Sequence, residues 1–432
     1  LKVIHSNHTT IMITLLRMAA LCSLLAGSLA ATGQKKLRLE DYSYEEQIRT
    51  VLFYPASNQP HPYLRPAAAS LQQQNLILEF DDIQDNRDNY YLRLVHCTFD
   101  WKPSGLRDLD FMAEYNEFPL NTFTNSANTH LPYVHYHLPV PAVKLPGNYV
   151  AMVYRNDRSD VVLTRRFLIY DSRARLLPDA ALAGRGNLFP GRQQVNFSVD
   201  YSGVDVPNPL EQIHVTIRQN QRWDNAKINV PPSFVREFNK QIEYRFFDEQ
   251  QLFEGGCEFR FVDFRSLQAP GQNTLAINRK VKPYELSVQP DKTRATEAYS
   301  QIRDRNGLYI IEDLDFGNGP LTGNYLFVDF ALQHAPIQGN VYVVGAFNMW
   351  ARTPENKMRY NATKERYEAT LVLKQGFYDY EYWVESPTLG PRHVEGSHFQ
   401  TENYYEVLVY YRPFQPQADL LIGYATFTVN GR

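Results

Sequence analysis

The stretch from Val195 to Tyr201 sets the strongest constraint on the fold. Val195, Phe197, Val199 and Tyr201 alternate with Asn196, Ser198 and Asp200, the period of two required of a strand with one buried face. The same period returns in Leu76, Leu78 and Phe80, from Tyr90 to Val95, from Tyr149 to Val153, and in Ile213, Val215 and Ile217. It returns again in Tyr367, Ala369, Leu371 and Leu373, and in Tyr378, Tyr380, Tyr382 and Val384. Most of the 29 Tyr and 25 Phe fall in such runs, and aromatic side chains suit a pleated, half-buried surface. The 26 Pro and 22 Gly, spread along 432 residues, supply the turns between them. An all-β protein is expected ahead of a large helical one.

Turn clusters divide the chain. Asp81-Asp82, Asp85 to Asn89 and Leu145-Pro146-Gly147-Asn148 separate the strands of a first unit, expected over residues 40–172 and closed by Arg166 to Asp171. A second unit is expected over 173–288, with runs at Tyr244 to Phe247 and Cys257 to Val262. Residues 289–322 are polar, contain the breaker Gly317-Asn318-Gly319-Pro320, and read as a linker or short helix. The third unit, 323–432, holds Val341 to Val344, two strands around Lys374-Gln375-Gly376, and the runs Tyr405 to Tyr411 and Ala425 to Val429. The expected architecture is three consecutive immunoglobulin-like β-sandwich domains.

Residues 1–31 stand apart as a signal peptide with an upstream extension. Arg17 precedes the apolar run Met18 to Leu29, and Ser28-Leu29-Ala30-Ala31 suits signal peptidase. At about 12 residues the run is too short to span a bilayer, and a soluble, exported mature protein is expected. Cys22 follows Leu21 where a lipoprotein signal wants a small residue, so it reads as hydrophobic filler. Cys97 and Cys257 lie far apart in strand-like runs; a disulfide is open to them, with buried free thiols the preferred reading. With 44 basic against 47 acidic residues the net charge is −3, which leaves no basic field for nucleic acid.

Chemical motifs are sparse. His135-x-His137, with His96 and His130 nearby in sequence, has a spacing that metal sites use, but no third ligand can be assigned, and histidines beside tyrosines on a half-exposed strand explain it as well. Asp81-Asp82-x-x-Asp85-x-x-Asp88 lacks the glycine and terminal glutamate of a calcium loop and reads as a solvated turn. There is no GxSxG elbow, P-loop or His-Glu-x-x-His, and neither Cys97 nor Cys257 has an activating motif. No catalytic, metal-binding or cofactor-binding residue is assigned, and an enzyme is not expected. Gly345 to Trp350 and Gly376 to Val384 resemble early-set immunoglobulin-like modules that bind glycogen or starch. In such modules exposed rings stack on sugar faces, which makes Trp350 and Trp383 the candidate ligand-stacking residues; the alternative is that both pack the sandwich.

Three runs of the first unit carry a second resemblance. His96 to Pro103, Tyr133 to Pro139 and Gly147 to Val150 resemble the N-terminal domain of the type IX secretion system plug protein of Bacteroidetes. It covers residues 40–172 strongly, and the rest of the chain by length, signal peptide and three-part β organisation. The resemblance implies a periplasmic protein that docks on the periplasmic opening of the giant outer-membrane translocon barrel and seals it when no substrate is in transit. It implies that barrel as partner, with no small-molecule ligand expected. The rival reading is a periplasmic or surface carbohydrate-binding protein that uses the C-terminal module.

Overall fold

The computed structural model describes residues 35–84, 86–178, 190–246 and 248–431. The expected signal peptide and Cys22 lie outside the described residues. Strand accounts for 42% of the structure and helix for 6%, so the all-β expectation holds.

The first unit is a sandwich. One sheet runs Tyr42–Ser43, Val161–Tyr170, Gly147–Arg155, Tyr90–Cys97 and Phe118–Pro119, with Ala68–Ser70 added alongside Val161–Tyr170. The facing sheet runs Ile48–Pro55, Leu76–Asp82, Val134–Pro139 and Phe123–Asn125. Leu78, Phe80 and Tyr136 from one sheet meet Leu92, Leu94, Tyr149, Val153 and Phe167 from the other in a single core. Gly147 is required where it stands, because a Cβ there would come within 2.5 Å of the His96 ring. The expected solvated turn at Asp81-Asp82 is corrected by the structure: both residues close the strand Leu76–Asp82 and are fully buried. Acidic residues at a strand end look like a turn when no covering layer is visible.

The middle unit places Arg175–Pro178, Phe197–Asp200, Gln241–Tyr244 and Phe234–Arg236 in one sheet. As the alternation requires, Val195, Phe197, Val199 and Tyr201 are all buried. Its other sheet is built from Ile213–Gln219, Asn403–Tyr411 and Leu420–Val429. Residues 403–429, grouped by sequence with the third unit, therefore complete the middle one. Tyr405, Val407, Val409 and Tyr411 enter the middle core, while Leu408, Tyr410 and Leu421 face the other way and pack on Cys97, Trp101, Val150 and Leu168 of the first unit. Periodicity finds strands, but their partners are chosen by non-local pairing.

The third unit gains what the middle loses. Arg260–Asp263 and Tyr309–Ile311 flank Gly376–Glu385, which also pairs with Asn340–Val344. The second sheet runs Thr274–Asn278, Glu285–Val288, Tyr325–Gln333, Arg366–Lys374 and Arg359–Asn361, with Asp291–Lys292 beside Tyr325–Gln333. The segment 289–322, read from sequence as a linker, thus contributes strands to both sheets. Asp291 accepts hydrogen bonds from Tyr380 and Tyr382, each at 2.8 Å, and pairs with Arg260. Cys97 and Cys257 are both free thiols; Cys97 is buried and Cys257 half-buried.

Two outcomes follow from this packing. A chain ended after residue 399 loses two of the three strands beside the middle core, so limited proteolysis should cut the middle unit rapidly; slow cleavage there would contradict the pairing. Burial pushes the His96 imidazole down to about 4, below its unfolded value, so its contribution is complete above about pH 6.5 and is lost as pH falls toward 4. His96→Gln should remove roughly 3 kcal/mol of acid sensitivity between pH 7 and 4, read as converging urea midpoints of variant and parent.

Candidate functional site

The richest side-chain chemistry among the described residues lies where the units meet. Antiparallel register sets Asp81 opposite His135, and His135 Nδ1 lies 2.7 Å from Asp81 Oδ1. The other carboxylate oxygen takes hydrogen bonds from the third unit: Lys374 Nζ at 2.6 Å and the Tyr325 hydroxyl at 2.7 Å. Lys374 also donates to the carbonyl of Pro320 at 2.7 Å and sits 4.1 Å from the centre of the Tyr133 ring. The Tyr133 hydroxyl in turn is shared between the carbonyls of Pro320 and Gly323. The breaker Gly317-Asn318-Gly319-Pro320 thus delivers a carbonyl to the lysine.

Neither Asp81 nor Lys374 has any exposed side-chain surface. Taking each ion out of water costs several kcal/mol, recovered only when geometry and hydrogen bonding are complete. Here they are complete. Burial alone would raise the Asp81 carboxyl, but Lys374 and His135 more than offset it and hold the group below the usual carboxylate range. Backbone strain serves the same contact. Thr50 adopts φ +49° in the irregular stretch of Ile48–Pro55, a conformation β-branched residues rarely hold, and its hydroxyl lies 2.5 Å from that of Tyr325. Since the Tyr325 proton goes to Asp81, Thr50 is the donor. Leu52 and Tyr54 reach across into the third core, and Tyr63 exchanges two hydrogen bonds with Ile311.

A second buried lock joins the middle and third units. Arg222 is 2% exposed and donates to Glu381 and to Asp224, each at 2.7 Å. Glu381 takes a further bond from Arg392, which also reaches Glu254. The guanidinium of Arg222 lies 3.8 Å from the centre of Trp350. Between the first and middle units, Trp101 meets Trp223 edge-on at 4.7 Å, with Arg166 over one ring and Arg218 over the other.

The structure separates the candidate residues named from sequence. Trp350 is 7% exposed, packed on Phe259 and Tyr342 with Arg222 over its ring, which is the geometry of a packing residue. Trp383 is half-buried beside it, with Arg352 5.2 Å from its ring centre. His135 and His137 face Asp81 and Glu79, and among the described residues no group of three ligands stands close enough to hold a metal ion. Sequence reasoning missed Lys374, Tyr325 and Arg222. Lys374 was read as part of a turn, yet it ends the strand Arg366–Lys374. Asp379 and Glu381 lie out of phase with Tyr378, Tyr380 and Tyr382 and are still buried, because both faces of that sheet are covered.

Residues 48–171 match the family model described as the type 9 secretion system plug protein first domain. A crystal structure of a hypothetical protein from Parabacteroides merdae ATCC 43184 is similar at 26% identity, over 91% of this chain and 100% of that one, with a TM-score of 0.84. That likeness runs through all three units. The C-terminal domains of the Streptococcus pyogenes antigen I/II-family protein AspA and of the Streptococcus agalactiae polypeptide BspA align at 7% and 8% identity with TM-scores of 0.14 and 0.13, too low to carry an argument. No curated protein matches the chain.

The buried pair sets a sharp expectation. Lys374→Met or Asp81→Leu alone strands one buried charge and should cost about 3–5 kcal/mol, whereas the double substitution should recover most of that loss. Urea midpoints of the four proteins measure it; additive losses would show that the two groups act independently.

Proposed function

We propose that this chain, whose residues 48–171 match the first domain of the type 9 secretion system plug protein, docks on the periplasmic opening of the outer-membrane translocon barrel and closes it while no substrate is in transit. The match supports a role in type IX secretion; the sealing of a barrel, the periplasmic site and the barrel as partner go further. The family and the all-β fold suggest a structural, non-catalytic protein.

The observation that carries the reading is the family match. The locked junctions agree with it. A pore that passes folded protein leaks small solutes unless a body of fixed shape covers it. Three sandwiches tied by Asp81–Lys374 and Arg222–Glu381 resist relative movement, since sliding would strand buried charges. No helix among the described residues is long and apolar enough to cross a membrane. Removal of the plug requires an interface that can be released, so the docked surface is expected to bury above about 1,000 Å² and to be polar at its rim.

The test is genetic. Deleting the gene should raise outer-membrane permeability to a normally excluded antibiotic, and restoring it should reverse the change. Unchanged permeability with the translocon still present would overturn the sealing role, and failure of the tagged chain to co-purify with a very large barrel protein would overturn the docking.

A further inference from the structure

A cavity of about 460 Å³ opens where the three units converge, and it is distinct from the buried charge pairs that hold the units together. The first unit contributes Arg65 and Tyr170, the middle unit Gln221 and Tyr424, and the third unit Arg305 and Asn306. No aspartate or glutamate lines it. At the junctions between units other arginines, such as Arg222 and Arg392, hold carboxylates.

Neither guanidinium group is paired with a carboxylate among the described residues, although that of Arg305 lies 5.6 Å from the centre of the Phe377 ring. Arg65 is exposed and makes no side-chain hydrogen bond or ion pair among the described residues, while Arg305 is half-buried and donates to the carbonyl of Asp304 at 3.2 Å. Asp304 and Asp379, the acids behind Arg305, form no side-chain ion pair with it among the described residues. Asp304 accepts from the backbone N–H groups of Phe259 and Asn306, one on each oxygen, and Asp379 accepts from those of Arg305 and Gly307 on a single oxygen. One wall is a stacked pair, Tyr170 on Tyr424, with centres 4.9 Å apart. The floor is held in place: Gln221, at φ +59°, donates to the carbonyl of Leu64 at 2.9 Å, which ties the middle unit to the segment that carries Arg65.

Guanidinium forks match the planar geometry of a carboxylate, and a pocket of this size between domains, with an aromatic wall and a few convergent polar groups, has the form of a ligand site. We propose that this three-unit cavity binds a carboxylate, with Arg65 and Arg305 as the charged clamp and the Tyr170–Tyr424 wall against the body that bears it. The carboxylate belongs either to a polypeptide, at its C-terminus or on an acidic side chain, or to a free organic acid. The site stands apart from the sealing role and from the expectation of no small-molecule ligand.

The test uses the full chain and ligand-observed NMR. The probes are acetyl-Tyr-Gly as free acid and as amide, acetyl-Tyr-Glu amide, citrate and inorganic phosphate. The free acid should bind at least about tenfold more tightly than its amide, and Arg65→Ala with Arg305→Ala should weaken it by about tenfold or more. The lysine pair Arg65→Lys with Arg305→Lys should recover part of that, since charge returns without the fork. Thermal melting of each variant, unchanged from the parent, separates loss of the site from loss of the fold. Binding of either peptide acid assigns the carboxylate to a polypeptide, and binding of citrate alone assigns it to a free acid. Equal binding of acid and amide, phosphate tighter than every carboxylate, undiminished binding in the alanine pair, or no carboxylate signal at about 10 mM would overturn the proposal.

Discussion

A lysine and an aspartate, both without access to water, meet across two units of this chain, and much of the architecture is arranged around that meeting. Lys374 ends a strand of the third unit and Asp81 lies near the end of one in the first. For the pair to be tolerated, every remaining donor and acceptor must be filled. Pro320, Tyr325, His135 and the face of Tyr133 do so, and each comes from a different local structure. Such a network specifies position more than it adds stability, because a well-packed apolar replacement would cost less desolvation. What it fixes is the relative placement of two sandwiches, to within the tolerance of a hydrogen bond.

Tyrosine makes this solution general. A phenol fills a core as phenylalanine does and ends in a group that can satisfy a buried ion. Tyr54 serves Glu79, Tyr90 serves Asp82, Tyr380 and Tyr382 serve Asp291, and Tyr424 serves Glu406. Asp82 shows the limit of the arrangement. Burial pushes its carboxyl up to about 6, even with the Tyr90 bond, because no cation stands as close to it as Lys374 does to Asp81. The aromatic excess is therefore also the means by which acidic residues enter the interior.

The strands were legible because period-two alternation is local. Leu76 to Phe80, Tyr90 to Val95, Tyr149 to Val153 and Val195 to Tyr201 all bury the apolar phase that their spacing marks, although Tyr149 to Val153 is buried on both faces. Partnership was not legible, since it is decided by which edge remains open after distant strands have paired. Ile213–Gln219 finds Asn403–Tyr411 nearly two hundred positions later, and no local pattern records that choice. The junction residues failed for a related reason. A charged residue out of phase with its apolar neighbours normally points to water, and Lys374, Asp379 and Glu381 point instead into a second layer that the strand itself does not reveal.

Interleaving and charge locking together explain how a chain of separate sandwiches can act as one body. The middle unit cannot form its second sheet until residues 403–429 arrive, and by then the chain has already passed through the third unit. The third is thus held at both ends by strands committed to its neighbour. Strand Asn403–Tyr411, buried on both faces, then lays one face on the first unit. The first and third units share the Asp81–Lys374 network, the middle and third share Arg222–Glu381, and the first and middle share the apolar layer around Trp101, Leu408 and Tyr410, so displacement of one loads the other two. The proposed sealing role would call on that mutual restraint, which a linear string of independently folded domains would lack.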